Sequence, residues 1–464
     1  MITELELRNF RSIQHEIIHF EPLTVIVGAN STGKSNLIKA LDFVSDVTVS
    51  GLQEAIYKRG GLSQILPKQY KKLNSLDLFF KVSITLDTPK NWPKEYGNLT
   101  ATYELGIQES KKGNIQIKEE KLVINSFLLI SSFLKKELSD KKTITKEDIH
   151  LSNFKELKDS TITLFRNEEG KIDYQTNILF SNENISLLTN WFGITGFFEH
   201  NGDKKPSEET VKSIISILLA NAIPGIEKNE LPIISLERVL IKLNTHLRTI
   251  HTELQSISKY DLFINELRQE QSISNSNKIS SSGDNIPSVV KKFIKDNKEA
   301  WFRISTTMSN ISPYFLEAHA QSLRTGKEYL VFKEVFGGRF IESWEAADGT
   351  LRALAILLSL ESHENGTTVL IEEPEHGLHP WAVKDLMSHI SEVITNKKIQ
   401  VIITTHSPQV LECIAPNQLL ITERTNKGTT YKTIEKILPN SKISMGEVGK
   451  LWSKGLLKGV PVSI

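Results

Sequence analysis

The octapeptide Gly28-Ala29-Asn30-Ser31-Thr32-Gly33-Lys34-Ser35 restricts the fold of this 464-residue chain more than any other stretch. It satisfies the spacing G-x-x-x-x-G-K-S and sits where that spacing has physical meaning, after an apolar run at 23–27 and before a helical pattern at 34–43. Gly28 and Gly33 let the backbone curl, so that successive N–H groups and the helix N-terminus face one anion. The predicted phosphate contacts are Gly28, Asn30, Ser31, Thr32, Gly33, Lys34, Ser35 and Asn36. Lys34 would reach the β and γ oxygens of ATP, and Ser35 would give its hydroxyl to Mg²⁺. Composition alone produces such a match in roughly one or two chains of this length in a hundred.

A loop of this kind is half a site, and the other half needs carboxylates at the end of a second buried strand. Val369-Leu370-Ile371-Glu372-Glu373-Pro374-Glu375 supplies them. Glu372 is predicted to complete the Mg²⁺ shell with Ser35, and Glu373 to orient or deprotonate the attacking water. A helix is expected at 380–393, then a further apolar strand at 400–405 that delivers His406 to the same sheet edge, where it would hydrogen-bond the γ-phosphate. The predicted catalytic set is therefore Lys34, Glu373 and His406. His376 and His379 lack a third matching ligand, which argues against a metal site there.

Two further features keep two readings each. Asp348-Gly349-Thr350 opens an apolar helix, either as an ordinary helix start or as an anion site of its own, available to a partner's phosphate. Arg11, in Asn9-Phe10-Arg11-Ser12, is either a nucleotide contact or a plain surface arginine.

The two halves of the site lie more than 300 residues apart, so the domain is split in sequence. Residues 1–120 read as its N-terminal half and 301–464 as its C-terminal half. Leu78, Phe80, Val82, Ile84 and Leu86 occupy alternate positions, and 101–108 alternates likewise, as strands of an antiparallel layer with one wet face do. Residues 121–300 shift toward Lys, Glu, Ser and Asn and read as a mainly helical insertion. Within it, Leu236, Leu240, Leu243, Leu247, Ile250, Leu254 and Ile257 form a stripe at spacings of four and three, either a coiled-coil arm or an amphipathic helix packed on its own domain. The fold class is α/β, with a mixed sheet, an antiparallel layer and this insertion.

Charge excludes little and argues against one thing. Lys and Arg (56) balance Asp and Glu (55), so no global basic field draws in nucleic acid. The single Cys413 excludes an intrachain disulfide framework and suits a reducing cytoplasm. The charged opening MITELELRNFRSI has no signal-peptide core, and the longest apolar stretch, 122–134, is interrupted and too short to span a bilayer. A cytoplasmic protein without a membrane segment is expected.

Taken together, the motifs resemble the ABC-type ATPases of the overcoming-lysogenization-defect (OLD) class, relatives of the RecF and structural-maintenance-of-chromosomes ATPases. The residues that carry the resemblance are Asn9-Phe10-Arg11-Ser12, residues 28–36, Arg59-Gly60-Gly61, Asp348-Gly349-Thr350, Glu372-Glu373-Pro374-Glu375 with Leu378-His379-Pro380, Thr405-His406-Ser407-Pro408, and the closing segment 445–452. The middle of the chain is not covered. The resemblance implies head-to-tail dimers or higher oligomers, in which Asp348 and Gly349 of one protomer cap the γ-phosphate held by Lys34 of the other. Two departures stand out. Ala347 occupies the place where such signatures usually carry serine, which implies slow turnover, and Glu372 replaces the commoner aspartate.

OLD nucleases carry a Toprim domain after the ATPase, whereas about 56 residues follow Pro408 here. The resemblance therefore implies a stand-alone ATPase subunit, of the kind found in anti-phage systems such as Septu and PARIS beside a separate nuclease or toxin effector. Two other functions stay open. One is a RecF-like repair ATPase that binds duplex DNA, against which the neutral charge argues, and the other is an ATP-gated scaffold with negligible turnover.

Overall fold

The computed structural model describes residues 1–67, 77–86, 99–109, 114–125, 161–166, 172–176, 245–439 and 443–457. The chain forms two compact units, Met1–His19 with Phe43–Gln255, and Phe20–Asp42 with Ser256–Ile464, and the boundary at residue 43 falls inside the helix Lys34–Ser50.

The first unit is built on a seven-stranded antiparallel sheet. Its strands run in the order Ile13–His19, Ile2–Phe10, Leu78–Leu86, Leu99–Glu109, Ile115–Asn125, Thr161–Arg166, Ile172–Thr176. The alternation read at 78–86 has its expected cause: Leu78, Phe80, Val82 and Ile84 are buried on one face. Phe80 stacks on Phe43 at 5.1 Å between ring centroids and meets Phe10 edge-on at 5.7 Å. Farther along the sheet, Glu120 is buried with Arg166, whose Nη2 lies 2.9 Å from its carboxylate, and Tyr103 donates to the other oxygen at 2.7 Å. Because a one-residue slip would expose this closed set of charges, it pins the register of three strands. The segment 121–300 thus contributes strand as well as helix. Of the leucine stripe, Ile250 and Leu254 are buried in and around the helix Thr245–Gln255, while Leu236, Leu240 and Leu243 lie outside the described residues.

The second unit holds a six-stranded sheet in the order Gly428–Lys432, Leu419–Thr425, Leu23–Val27, Gln400–Thr405, Thr368–Glu372, Ser258–Tyr260. All neighbours pair in parallel except the first two. Leu23–Val27 and Gln400–Thr405 are buried at every residue, as strands covered on both faces must be. One face, carrying Val25, Val27, Val369, Ile371, Val401, Ile403 and Ile421, shares a core with the helices Ile286–Asp296, Lys298–Ile311, Asp348–Glu361 and Ala382–Lys397. Beside it lies a smaller antiparallel sheet, Gln271–Ser272, Lys327–Glu334 and Phe315–Ser322, with Phe340–Glu342 paired to its middle strand. No helix among the described residues is long and apolar enough to cross a membrane.

Candidate functional site

Three adjacent parallel strands of the second unit set the site. Val27 pairs with Thr405, and Thr404 with Glu372, so the residues that follow each strand, Gly28, His406 and Glu373, emerge at one level on one sheet edge. The carboxyl ends of parallel strands are where α/β sheets bind ligands. The histidine strand lies between the loop strand and the acidic strand, a neighbour relation that motif spacing does not reveal.

The loop is held from one side by the antiparallel hairpin 419–432. Thr429 Oγ1 donates to Thr32 O at 2.6 Å, Tyr431 OH donates to Gly33 O at 2.9 Å, and the hydroxyls of Thr32 and Thr422 meet at 2.6 Å. Gly28 and Gly33 are required here. A Cβ on Gly28 would run into Thr422 and one on Gly33 into Thr429, and Gly33 also takes φ 120°. Asn30 and Ser31 form the exposed crest, with Ser31 at φ 64°. Asn36 closes the loop through its N–H to Gly33 O at 2.9 Å. Lys34 is folded into the loop and donates to Gly28 O at 2.9 Å and Ala29 O at 3.0 Å. Burial lowers its pKa, and the carboxylates of Glu373 and Glu372 act in the opposite direction.

Ser35 and Glu372 meet directly, the hydroxyl of Ser35 donating to Oε2 of Glu372. A hydroxyl and a carboxylate side by side are the hard oxygen donors that Mg²⁺ takes, usually together with phosphate and water, so the pair fits that ion. Among the described residues no group of three or more His, Cys, Asp or Glu side chains converges as a metal site.

Glu373 stands just past the strand with φ 48°, its N–H bonded to Thr404 O at 2.9 Å. A glutamate in the left-handed region costs about 1 kcal/mol or more, strain of a kind that clusters at functional sites. His406 Nε2 lies 3.5 Å from Glu373 Oε1. Burial lowers the pKa of His406, the Lys34 ammonium adds to the effect, and Glu373 and Glu375 oppose it, which keeps the ring neutral at pH 7. Glu375 fixes the turn behind it by accepting from Thr405 Oγ1 at 2.5 Å and from the His406 N–H at 3.2 Å.

Asp348 begins the helix Asp348–Glu361, and its carboxylate lies 2.5 Å from Arg268 Nη2, which also donates to Ala346 O at 2.8 Å. Ala347 is the N-cap and offers no side-chain bond to the first turn. Gly349 packs so closely on the Gly377 carbonyl that a Cβ would collide with it. Arg352, one turn on, donates to Glu372 O at 2.9 Å and Glu373 O at 3.2 Å.

Lys34, Ser35, Glu372, Glu373 and His406 therefore come together at one strand edge, and Asp348 and Gly349 open a helix anchored to the same acidic turn. Arg11 belongs to the first unit. It occupies the turn between the first two strands at φ 52°, its N–H donates to Ile65 O at 2.6 Å, and its pKa is lowered by burial and by the neighbouring Arg59. Motif reading missed Lys259, Arg268, Arg352, Thr429 and Tyr431, because each acts through a partner remote in sequence. The one legible trace was the polar alternation of Thr429 and Tyr431 in a terminal strand.

Several solved structures align over nearly the whole chain. A structural-maintenance-of-chromosomes (SMC) head domain from Thermotoga maritima matches at 12% identity and TM-score 0.38, covering 94% of this chain and 99% of that one. An Smc head domain with a coiled coil and joint derived from Pyrococcus yayanosii matches at 12% identity and TM-score 0.44, covering 98% and 99%. An Smc head domain with an extended coiled coil, bound to the C-terminal domain of ScpA and derived from Pyrococcus furiosus, matches at 12% identity and TM-score 0.42, with the same coverage. No curated protein matches the sequence. The AAA ATPase domain family matches residues 1–411, a span that takes in the phosphate loop, the turn at Asp348, the acidic strand and His406. The chain belongs to the AAA ATPase domain family.

Proposed function

We propose that this protein is an ABC-type ATPase that uses ATP binding to close a head-to-tail dimer and hydrolysis to reopen it. The observation that carries the reading is the convergence of Lys34, Ser35, Glu372, Glu373 and His406 at the ends of three adjacent parallel strands. In this reading the loop N–H groups and Lys34 leave their internal partners to grip the triphosphate. Ser35 and Glu372 would hold Mg²⁺, which would supply charge neutralisation for the transferred phosphoryl group. Glu373 draws a proton from the attacking water while neutral His406 donates to the γ-phosphate. Asp348, exposed and braced by Arg268, and the turn it opens at Gly349 serve the γ-phosphate of a second copy.

The finer role is that of a sensor or regulator subunit in an anti-phage defence complex, acting on a separate nuclease or toxin effector, with DNA or a phage component as trigger. Its support is the OLD-class pattern of the motifs. The test is phosphate release by purified protein beside Lys34→Ala, with sedimentation of Glu373→Gln with and without ATP. Wild-type protein that neither binds nor hydrolyses ATP sinks the proposal, and a monomer at saturating ATP sinks its dimer step. A second reading, an ATP-gated scaffold with negligible turnover, draws on Ala347. A signature turn without a hydroxyl or a side-chain cap offers one bond fewer to the γ-phosphate. Equal, near-zero turnover for wild type and Glu373→Gln would decide for it.

A further inference from the structure

Glu372 is the predicted metal carboxylate, and both of its oxygens have protein partners. Oε2 takes the Ser35 hydroxyl, and Oε1 lies 3.6 Å from the ammonium of Lys259. Lys259 sits on the edge strand Ser258–Tyr260, which pairs in parallel with the acidic strand, Lys259 opposite Leu370. Its stem is well covered, with 15% of the side chain exposed, and its Nζ is also held 2.6 Å from Asp261 Oδ2. This is a placed cation, gripped by two carboxylates, and no motif of the nucleotide site accounts for it.

We propose that Lys259 is a stand-in cation for Mg²⁺, neutralising Glu372 until the metal arrives with nucleotide. The inference rests on the ATPase reading above and deepens it. A nucleotide loop beside bare carboxylates would repel incoming phosphates. Lys34 spends its hydrogen bonds on Gly28 O and Ala29 O, and the ammonium at ion-pair distance from Glu372 is that of Lys259. An ammonium is a compact point charge on a flexible stem, suited to yielding its place when a divalent ion competes for the same oxygen. Lys259 acts through Glu372 and is therefore a positioning residue.

The test measures the affinity of the full-length protein for N-methylanthraniloyl-ATP in EDTA and in excess Mg²⁺. A charge within about 4–6 Å of an ionisable group changes its proton affinity by roughly tenfold or more, and uncovering Glu372 is taken to act on an incoming anion on that scale. Lys259→Met is expected to lose about tenfold in affinity in EDTA and to match wild type within about twofold once Mg²⁺ is present. Lys259→Arg, which keeps the charge, stays near wild type in both. In a Glu372→Gln background, Lys259→Met should cost no more than about twofold in EDTA, since of the two carboxylates it uncovers only Asp261 is left. Lys259→Gln carries the same expectation where the Met variant does not fold. An equal loss with and without Mg²⁺, no loss in EDTA, or an undiminished loss in Glu372→Gln overturns the proposal. Absence of nucleotide binding by wild-type protein in Mg²⁺ counts against the ATPase reading instead.

Discussion

The helix Asp348–Glu361 of the second unit has carboxylates at both ends, and the two ends treat negative charge in opposite ways. At its C-terminus, Glu361 is sealed, with no exposed side-chain surface. Arg303 forks onto both oxygens at 2.8 Å each, and Lys397 lies 3.0 Å away. Burial alone would raise its pKa, but the Arg303 bonds and Lys397 outweigh it and hold the carboxyl below the usual range. At the N-terminal end, where Arg352 and Gly349 abut the acidic turn, Glu372 and Glu373 keep 27% and 43% of their side chains exposed. Their partners are a hydroxyl, an ammonium at 3.6 Å and a neutral imidazole at 3.5 Å. A charge closed on itself holds the fold. One left with water and exchangeable partners is free to meet a ligand.

The largest effect should separate the two ends cleanly. Glu373→Gln keeps the shape and removes the proposed base, so turnover should fall about 100- to 10,000-fold. ATP affinity should hold, and stability should move by no more than about 0.5 kcal/mol. Phosphate release paired with urea denaturation checks both halves. A stability loss comparable to the catalytic one would mean that Glu373 is structural, and the contrast would collapse.

Next in size is the opposite experiment. Glu361→Ala leaves Arg303 and Lys397 facing an emptied pocket, and breaking such a buried pair costs about 3 kcal/mol. Both cations retain some exposure, 29% and 21%, and can partly turn to water, which places the loss at the lower end of what buried pairs show. Denaturant midpoints measure it. At temperatures where the variant is folded, its ATP affinity should stay within about threefold of wild type, and a larger change would show that the two ends of the helix are coupled.

The functional end was legible in sequence and the structural end was not, for a physical reason. A phosphate loop works through consecutive N–H groups, so its chemistry is written in eight adjacent residues. The acidic pair and His406 are likewise adjacent to apolar strands that betray themselves by composition. Glu361 and Arg303 stand 58 residues apart, and Thr429 reaches Thr32 across 397. Long-range partners leave no local spacing to read. The sheet of the first unit shows the same limit. Alternation marked Leu78–Leu86, but Thr161–Arg166 and Ile172–Thr176 extend the sheet from a polar stretch whose composition reads as insertion. Lys259 is the instructive failure, since it is a site residue by position on an edge strand three residues long.

The smallest expected effect uses pH to compare a sealed and an open histidine. His363, two residues past Glu361, is buried, with Nε2 2.6 Å from Tyr260 OH and a pKa lowered to about 3 by burial first and by Lys278 and Lys397 after it. Its folded value lies below the 6.5 of the free side chain. Above that pH both states are neutral and its contribution to stability is complete. As pH falls from 6.5 toward 3 the unfolded chain takes up a proton that the folded one refuses, and stability drops by about 1.4 kcal/mol per unit. Urea midpoints of wild type and His363→Gln at pH 7, 6 and 5 should therefore converge by that slope, the glutamine keeping a polar partner for Tyr260. His406, with 36% of its side chain exposed, also has its pKa lowered, by burial first and by Lys34 after it, so its stability dependence has the same sign as that of His363. What sets it apart is the site: His406→Gln should lower ATP turnover at every pH, because the donor to the γ-phosphate is weakened, whereas His363→Gln should leave turnover unchanged at pH 7. Parallel stability curves for wild type and His363→Gln would place the acid sensitivity in other groups and deny that this end of the helix is sealed against protons.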